Sequence, residues 1–204
     1  MVDVIDNRYL SILRTHISDE RLAHSLRVAH TASEMAVHFK IDPEHAILAG
    51  LLHDIAKQET PVTMTERGII GSIETRKTYD DFKSIWHQYA GADYVAHYFP
   101  DIPQSVLSAI QSHTTGSPNM NLMDQIIYLA DAVEPGRTYR SREDLYRLSF
   151  ENIDLACFGA LALSMSTLIT SQRTIHPQSV EAYNFYLRKV GAGNAKVVAR
   201  ILHL

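Results

Sequence analysis

Ala49-Gly-Leu-Leu-His-Asp-Ile-Ala-Lys57 places three polar side chains at the end of an apolar run. The preceding residues, Ala46 to Leu52, predict a helix that is buried on most sides. The adjacent side chains of His53 and Asp54 cannot both point into an apolar core, and buried polar groups need partners. A metal ion satisfies a histidine and an aspartate together, so this pair predicts further metal ligands elsewhere in the chain.

The composition is that of a globular protein with an ordinary core. The chain has 204 residues, 46 % of them hydrophobic and 21 % charged, and its formal net charge is −4. This length fits one domain, and the acidic balance argues against a polynucleotide partner. The single cysteine, Cys157, cannot form an internal disulfide, and its apolar surroundings favour a small buried side chain over a nucleophile.

Targeting and membrane signals are weak, and we expect a cytoplasmic protein with no membrane partner. Residues 1–6 lack a basic region followed by an apolar stretch. The longest apolar run, Leu155 to Ile169, is shorter than the ~20 residues of a membrane helix and contains Gly159 and Ser164. We expect this helix to be internal. The alternative is that it docks a second copy of the chain, which would make a homodimer.

Apolar residues recur at helical spacing along nearly the whole chain, which predicts an all-α bundle. Ser18 and Asp42-Pro43 are typical starts for the second and third helices. Residues 58–83 contain Pro61, Gly68 and Gly71, and we expect a loop with short helical turns there. Helices are predicted over about 7–16, 21–39, 43–54, 85–99, 103–113, 121–132, a short segment capped by Ser141, 151–171 and 180–189.

No linker divides this pattern, so we expect one domain over residues 1–204. Its motif core would span about 20–137, and C-terminal helices of about 141–190 would pack on that core.

Candidate metal ligands recur at helix ends and on inward faces. Asp131 closes the apolar run Ile126 to Ala130 in the same manner as Asp54 closes its own helix. A helical bundle can bring such positions together in one polar pocket. Spacing alone leaves a metal site and satisfied structural groups equally open, since imidazole and carboxylate are common in both settings. The six candidate ligands are His24, His53, Asp54, His87, His113 and Asp131.

The order His24, His53-Asp54, Asp131 resembles the pattern of the HD-domain metal-dependent phosphohydrolases. Four segments are similar to one branch of that family, the YqeK-type symmetrical bis(5'-nucleosyl)-tetraphosphatases. The segments are Ala23-His-Ser-Leu-Arg-Val28, Ala49-Gly-Leu-Leu-His-Asp-Ile-Ala-Lys57, Ala109-Ile-Gln-Ser-His-Thr-Thr-Gly116 and Ile127-Tyr-Leu-Ala-Asp-Ala-Val-Glu-Pro-Gly-Arg137. One departure is Gln88, because that branch usually has glycine after the histidine that matches His87.

The resemblance implies an HD-domain helical fold that holds two divalent metal ions, usually iron, and splits dinucleoside tetraphosphates into two nucleoside diphosphates. It implies that His87 and His113 complete the second metal position and that Asp54 bridges both. Two such ions can activate a water molecule as hydroxide at neutral pH. Ligand type alone would equally suit manganese, zinc, cobalt or nickel.

Cations trail the candidate ligands by a few residues, which favours phosphate contact over a solvated charge. Arg27 follows His24 by three positions, Lys57 follows Asp54 by three, and Arg137 follows Asp131 by six. We therefore predict catalytic roles for Asp54 and Lys57. The predicted substrate-binding residues are His24, Arg27, Lys57, Thr114, Arg137, Ile175 and His176. Ile175 and His176 are placed near the nucleotide by the resemblance, and Tyr89 and Tyr139 are further aromatic candidates.

Three alternatives compete with this hypothesis. A different HD phosphohydrolase would act on nucleoside monophosphates or cyclic nucleotides and give different products. A nucleotide-binding regulatory module would keep the pocket without turnover. A structural bundle would leave many buried polar groups unsatisfied, which makes it the weakest of the three.

Overall fold

The computed structural model describes residues 6–203, and eleven helices with no strand make up that part of the chain. The predicted all-α fold is therefore confirmed. The helices are α1 (Asn7–Leu13), α2 (Asp19–His38), α3 (Pro43–Leu52), α4 (Pro61–Glu66), α5 (Ile73–Asp81), α6 (Lys83–Tyr98), α7 (Gln104–Ser112), α8 (Leu122–Val133), α9 (Arg142–Glu151), α10 (Ile153–Thr170) and α11 (Pro177–Ile201).

The site is positioned by five packed helices, α2, α3, α6, α7 and α8. Helices α2 and α3 approach closely at Gly50, where a Cβ atom would lie 2.8 Å from the Cα of Ala29. Only glycine fits that contact, because the obstructing atoms belong to the backbone of α2. Central side chains of this layer, such as Leu51, Leu52 and Ile126, have no exposed surface. Helices α9 and α10 pack on α8, and α11 packs on α10.

The helix starts follow the predicted capping chemistry at two positions. The Ser18 side chain accepts a hydrogen bond from the backbone N–H of Arg21, and Asp42 accepts one from Glu44. Helix α9 begins directly after Ser141 as predicted, but the Ser141 side chain makes no cap bond to α9. Its hydroxyl donates instead to the carbonyl of Leu202, which ties the start of α9 to the end of α11.

Three predicted boundaries differ from the structure. Helix α1 ends at Leu13 instead of His16. The segment 58–83 holds two capped helices, because Thr60 and Ser72 accept hydrogen bonds from the N–H groups of Thr63 and Thr75. Helix α11 begins at Pro177 and continues past residue 189 to Ile201, with non-helical backbone at Gly191, where φ is +79°. A left-handed φ of this kind costs glycine little, so the chain kinks there and resumes its helix.

Helix α10 differs from the internal helix that we expected. Its first half is buried and includes Cys157, but Ser164, Ser166 and Ile169 in the second half are exposed. Among the described residues it is the one helix whose length and composition would allow a membrane crossing, and only 33 % of that window is buried. Helix α10 packs against three other helices of the fold, α8, α9 and α11.

Candidate metal centre and arginine cleft

The Asp54 carboxylate lies at the centre of the candidate ligands, and its two oxygens face different partners. Asp54 Oδ2 lies 3.9 Å from His24 Nε2 and 3.6 Å from His53 Nε2. Asp54 Oδ1 lies 3.2 Å from His87 Nε2 and 3.7 Å from His113 Nε2. We call His24 and His53, which lie at Oδ2, the first ligand group, and His87 and His113, which lie at Oδ1, the second ligand group. His53 also lies close to Asp54 and His113, so the two groups adjoin.

The first ligand group is completed by Asp131 from the last turn of α8. Its Oδ1 lies 3.1 Å from His24 Nε2 and 3.9 Å from His53 Nε2. The ligand atoms of these three residues lie within 4.8 Å of one another. The Nε2 atom of His53 is buried without a hydrogen-bond partner, and that of His24 is buried and faces the Asp131 carboxylate. A buried imidazole nitrogen of this kind lacks a partner that a metal ion would supply, so the residues fit a metal.

The same type of hydrogen bond to the preceding helix orients His53 and His113 toward the Asp54 carboxylate. Each residue directly follows the last residue of its helix, α3 or α7. Each Nδ1 lies 2.7 Å from the carbonyl oxygen three residues earlier, that of Gly50 or of Ile110. A carbonyl can only accept, so Nδ1 carries the proton and the lone pair on Nε2 points inward. This orientation is the one that a metal-binding histidine needs.

Glu134 orients His24 in a similar way from the end of α8. Its Oε1 lies 3.1 Å from His24 Nδ1, and its Oε2 accepts hydrogen bonds from Arg27 Nε at 2.5 Å and from the backbone N–H of Gly136 at 2.6 Å. A Cβ atom at Gly136 would lie 2.6 Å from Arg27 Nη2. Sequence reasoning assigned no role to Glu134, although an acid three residues after a candidate ligand was the available signal.

Burial and charge set the protonation of the centre. Burial lowers the pKa of His53 to about 4 and that of His87 to about 3, so both are neutral at pH 7 and can act as ligands. Burial would raise the pKa of Asp54, but the surrounding groups, which are His53, His113, His87 and the cationic Lys57, hold that pKa well below its usual value. For Asp131, His24 and Arg137 likewise outweigh burial and lower the pKa. Both carboxylates are therefore ionised.

A polar cavity of about 380 Å³ opens beside the first ligand group, and we call it the arginine cleft. Arg21, Arg27 and Arg137 line it together with His24 and Gln58. Arg21 Nη1 donates to Asp54 Oδ2 at 2.8 Å, and Arg137 donates to Asp131. Arg27 and Arg137 were predicted as substrate-binding residues, whereas Arg21 was not. Its signal was available, since Arg21 lies three residues before His24 and shares that helix face.

Lys57 and Thr114 contact the second ligand group. Lys57 Nζ lies 2.9 Å from His87 Nε2 and 3.6 Å from Asp54 Oδ1. Thr114 Oγ1 lies 3.1 Å from His87 Nε2 and 2.9 Å from His113 Nε2. The structure therefore brings these two predicted residues to the candidate ligands.

Gln88, the departure from the resembling branch, joins α6 to the turn that follows His113. Its Oε1 accepts hydrogen bonds from the backbone N–H groups of Thr114 at 3.2 Å and Thr115 at 3.1 Å. The turn closes at Gly116, whose φ of +64° is the left-handed backbone that favours glycine after a helix. Gln88 thus fixes Thr114 beside the second ligand group.

Across its described residues, the structure does not join Ile175 or His176 to the candidate ligands. Within residues 6–203, no hydrogen bond or ion pair joins either residue to the six candidate ligands. The His176 ring packs edge-on against Phe82, with centroids 4.5 Å apart. The neighbouring Gln178 donates to the carbonyl of Gly116 at 2.7 Å, so this segment adjoins the turn that carries Thr114.

A family model described as the HD domain matches residues 21–136. The chain belongs to the HD domain family. The match contains all six candidate ligands, and the resemblance of the HD motif is confirmed.

Two relatives and one solved structure are similar to this chain over more than the matched residues. The symmetrical bis(5'-nucleosyl)-tetraphosphatase of Halalkalibacterium halodurans is 30 % identical over 178 residues, which are 86 % of this chain and 93 % of that protein. The protein of the same name in Bacillus subtilis is 27 % identical over 176 residues, 86 % of this chain and 94 % of its own. A solved structure from Clostridium acetobutylicum, described as a predicted HD superfamily hydrolase involved in NAD metabolism, is 29 % identical with a TM-score of 0.79. The alignment covers 90 % of this HD domain chain and 97 % of that structure.

Proposed function

We propose that this HD domain protein is a metal-dependent hydrolase that cleaves dinucleoside tetraphosphates symmetrically into two nucleoside diphosphates. The observation that carries the proposal is the Asp54 carboxylate, whose two oxygens face two histidine groups beside a cleft lined by three arginines. The names of the Halalkalibacterium and Bacillus relatives support the substrate class. A long polyanion needs many positive charges, and this cleft offers them.

Two divalent ions, with iron as the first candidate, would be held by the six candidate ligands. His24, His53, Asp54 and Asp131 would hold one, and Asp54, His87 and His113 the other. Bound ions of this kind supply positive charge to phosphoryl oxygens and lower the pKa of a water molecule.

The arginines of the cleft would bind and orient the phosphate chain. Arg21 and Arg137 pair with the carboxylates of Asp54 and Asp131. Once those carboxylates have other cationic partners, both guanidinium groups would turn to phosphate. Arg27 donates to Glu134 through Nε at 2.5 Å and through Nη2 at 3.4 Å, and Nη1 would be the nitrogen that turns to phosphate in the cleft. Planar guanidinium groups donate pairs of hydrogen bonds to phosphate, which also fixes its orientation.

Lys57 and Thr114 would act on the other side of the Asp54 carboxylate. Lys57 Nζ would donate to a phosphoryl oxygen and neutralise charge as the central anhydride bond breaks. The Thr114 hydroxyl would donate a hydrogen bond to the same phosphate. Ile175 and His176, which adjoin this turn through Gln178, would pack against one nucleobase.

Product analysis tests this function directly. Purified protein is incubated with diadenosine tetraphosphate and iron, manganese or zinc in turn, and AMP, a cyclic nucleotide and NAD serve as competing substrate classes. We expect the nucleoside diphosphate as the only product from diadenosine tetraphosphate. Monophosphate plus triphosphate would exclude symmetrical cleavage, and stoichiometric binding without bond cleavage would favour a regulatory module.

We further propose that the protein acts in the cytoplasm on this small-molecule substrate, without a polynucleotide or membrane partner. The acidic net charge of −4 supports this choice of substrate. The exposed end of α10 around Ile169 is the surface that a homodimer would use.

A further inference from the structure

A second cavity meets the arginine cleft at Arg137, and it has a different character. It encloses about 370 Å³, and most of its lining is apolar. Arg137 belongs to the lining of both cavities. We call it the Tyr139 cavity, and its lining includes Ala132, Tyr139, Leu145, Ala160, Leu163 and Ser164.

Its walls are fixed by the same segment that carries a candidate ligand. Ala132 directly follows Asp131, and the Tyr139 hydroxyl donates to the carbonyl of Ala132 at 2.9 Å. Arg137 Nε donates to the carbonyl of Asp131 at 2.8 Å, which holds the guanidinium between the two cavities. Tyr139 is 37 % exposed, so a ligand can reach this residue.

A ligand that fills both cavities needs a polyanionic part and a flat apolar part. The arginine cleft suits phosphates, and an aromatic wall beside aliphatic side chains suits a stacked nucleobase. A symmetrical substrate carries two nucleosides, and the Ile175–His176 segment adjoins the turn that carries Thr114 beside the second ligand group. The Tyr139 cavity adjoins the first group at Asp131, where the other nucleoside would lie.

We propose that the Tyr139 cavity binds one nucleobase of the dinucleotide and that Arg137 holds the phosphate next to that nucleoside. This inference rests on the proposed function, which supplies the dinucleotide. The base would stack on Tyr139, and Ser164, on the exposed side of α10, lies at the rim of the cavity.

Filling the cavity tests the proposal. Ser164→Trp should raise KM for diadenosine tetraphosphate about tenfold, because the indole takes the place of the base. Tyr139→Ala should raise KM by a similar factor, and Tyr139→Phe, which keeps the ring, should stay within about twofold. Ser11→Trp is the matched control, since Ser11 is exposed on α1, outside this cavity. Inhibition by inorganic tripolyphosphate, which has no base, should be unchanged in all four variants.

An unchanged KM in Ser164→Trp and Tyr139→Ala would overturn the proposal. Equal weakening of tripolyphosphate inhibition would overturn it too, because the variants would then act on the phosphate cleft. If Ser164→Trp does not fold, the Tyr139→Ala and Tyr139→Phe pair carries the test. If the wild type does not cleave diadenosine tetraphosphate, the proposed function is wrong. The Kd of this compound for the same variants then tests separately whether the cavity binds a base.

Discussion

At the scale of single residues, Asp54 depends on its neighbours for its geometry. His53 precedes it at the end of α3, and the Nδ1 bond of His53 to Gly50 turns its Nε2 toward Asp54 Oδ2. His87 and His113 approach Oδ1 from α6 and α7. The sequence could predict these ligand types and their order. It could not predict which oxygen faces which histidine, because that depends on how three helices pack.

Glu134→Gln should weaken metal binding about 10- to 100-fold, because residues that orient a metal-binding histidine contribute on that scale. The amide keeps the volume but removes the charge that holds Arg27 and His24. Metal affinity is measured by competition with a chromogenic chelator. Glu143→Gln is the control, since Glu143 is exposed and pairs with Arg142 on the surface. Equal metal affinity in Glu134→Gln and wild type would contradict the role of Glu134 in orienting His24.

At the scale of helices, the predictions succeeded where local chemistry determines the structure. Ser18, Asp42 and the glycine at 116 act through hydrogen bonds or backbone angles of adjacent residues, so the sequence contains the signal. Ser141 failed because its partner, Leu202, lies sixty-one residues away. The second half of α10 was expected to be buried because it is apolar, but which helices cover it is a property of the whole fold. Arg21 lies one helical turn before His24 on the same face, so the sequence contained its signal as well.

Gly50→Ala should destabilise the protein by about 1–3 kcal/mol, the usual cost of inserting a methyl group into a packed contact. The added Cβ would meet the Ala29 backbone at 2.8 Å, and a helix backbone cannot move aside as a side chain can. Urea unfolding followed by circular dichroism gives the free energy of unfolding. Gly193→Ala is the matched control, because no atom lies within 4 Å of its added Cβ. A Gly50→Ala protein as stable as wild type would show that α2 and α3 are not packed this closely.

At the scale of the whole molecule, the buried centre links stability to pH. The folded-state pKa of His53 is about 4 and that of His87 about 3, both below the usual 6.5. Between pH 6.5 and 4 the unfolded chain therefore binds protons that the folded chain does not. The metal-free protein should lose stability as pH falls through this window, by up to about 1.4 kcal/mol per pH unit for each histidine.

Urea unfolding of the metal-free protein at pH 7.5, 6.5, 5.5 and 4.5 measures this loss. His87→Gln should reduce the slope, whereas His30→Gln, which changes an exposed histidine, should leave it unchanged. A free energy of unfolding that stays constant from pH 6.5 to 4.5 would contradict burial of neutral histidines at the centre.

The number of metal ions per chain, determined by elemental analysis after reconstitution with iron, tests most directly whether one carboxylate serves two metal positions. The account predicts two ions in the wild type and in His30→Ala, one in His113→Ala, and fewer than one in Asp54→Ala, with helical circular dichroism retained in each. Two ions bound to Asp54→Ala, or none bound to the wild type, would contradict it.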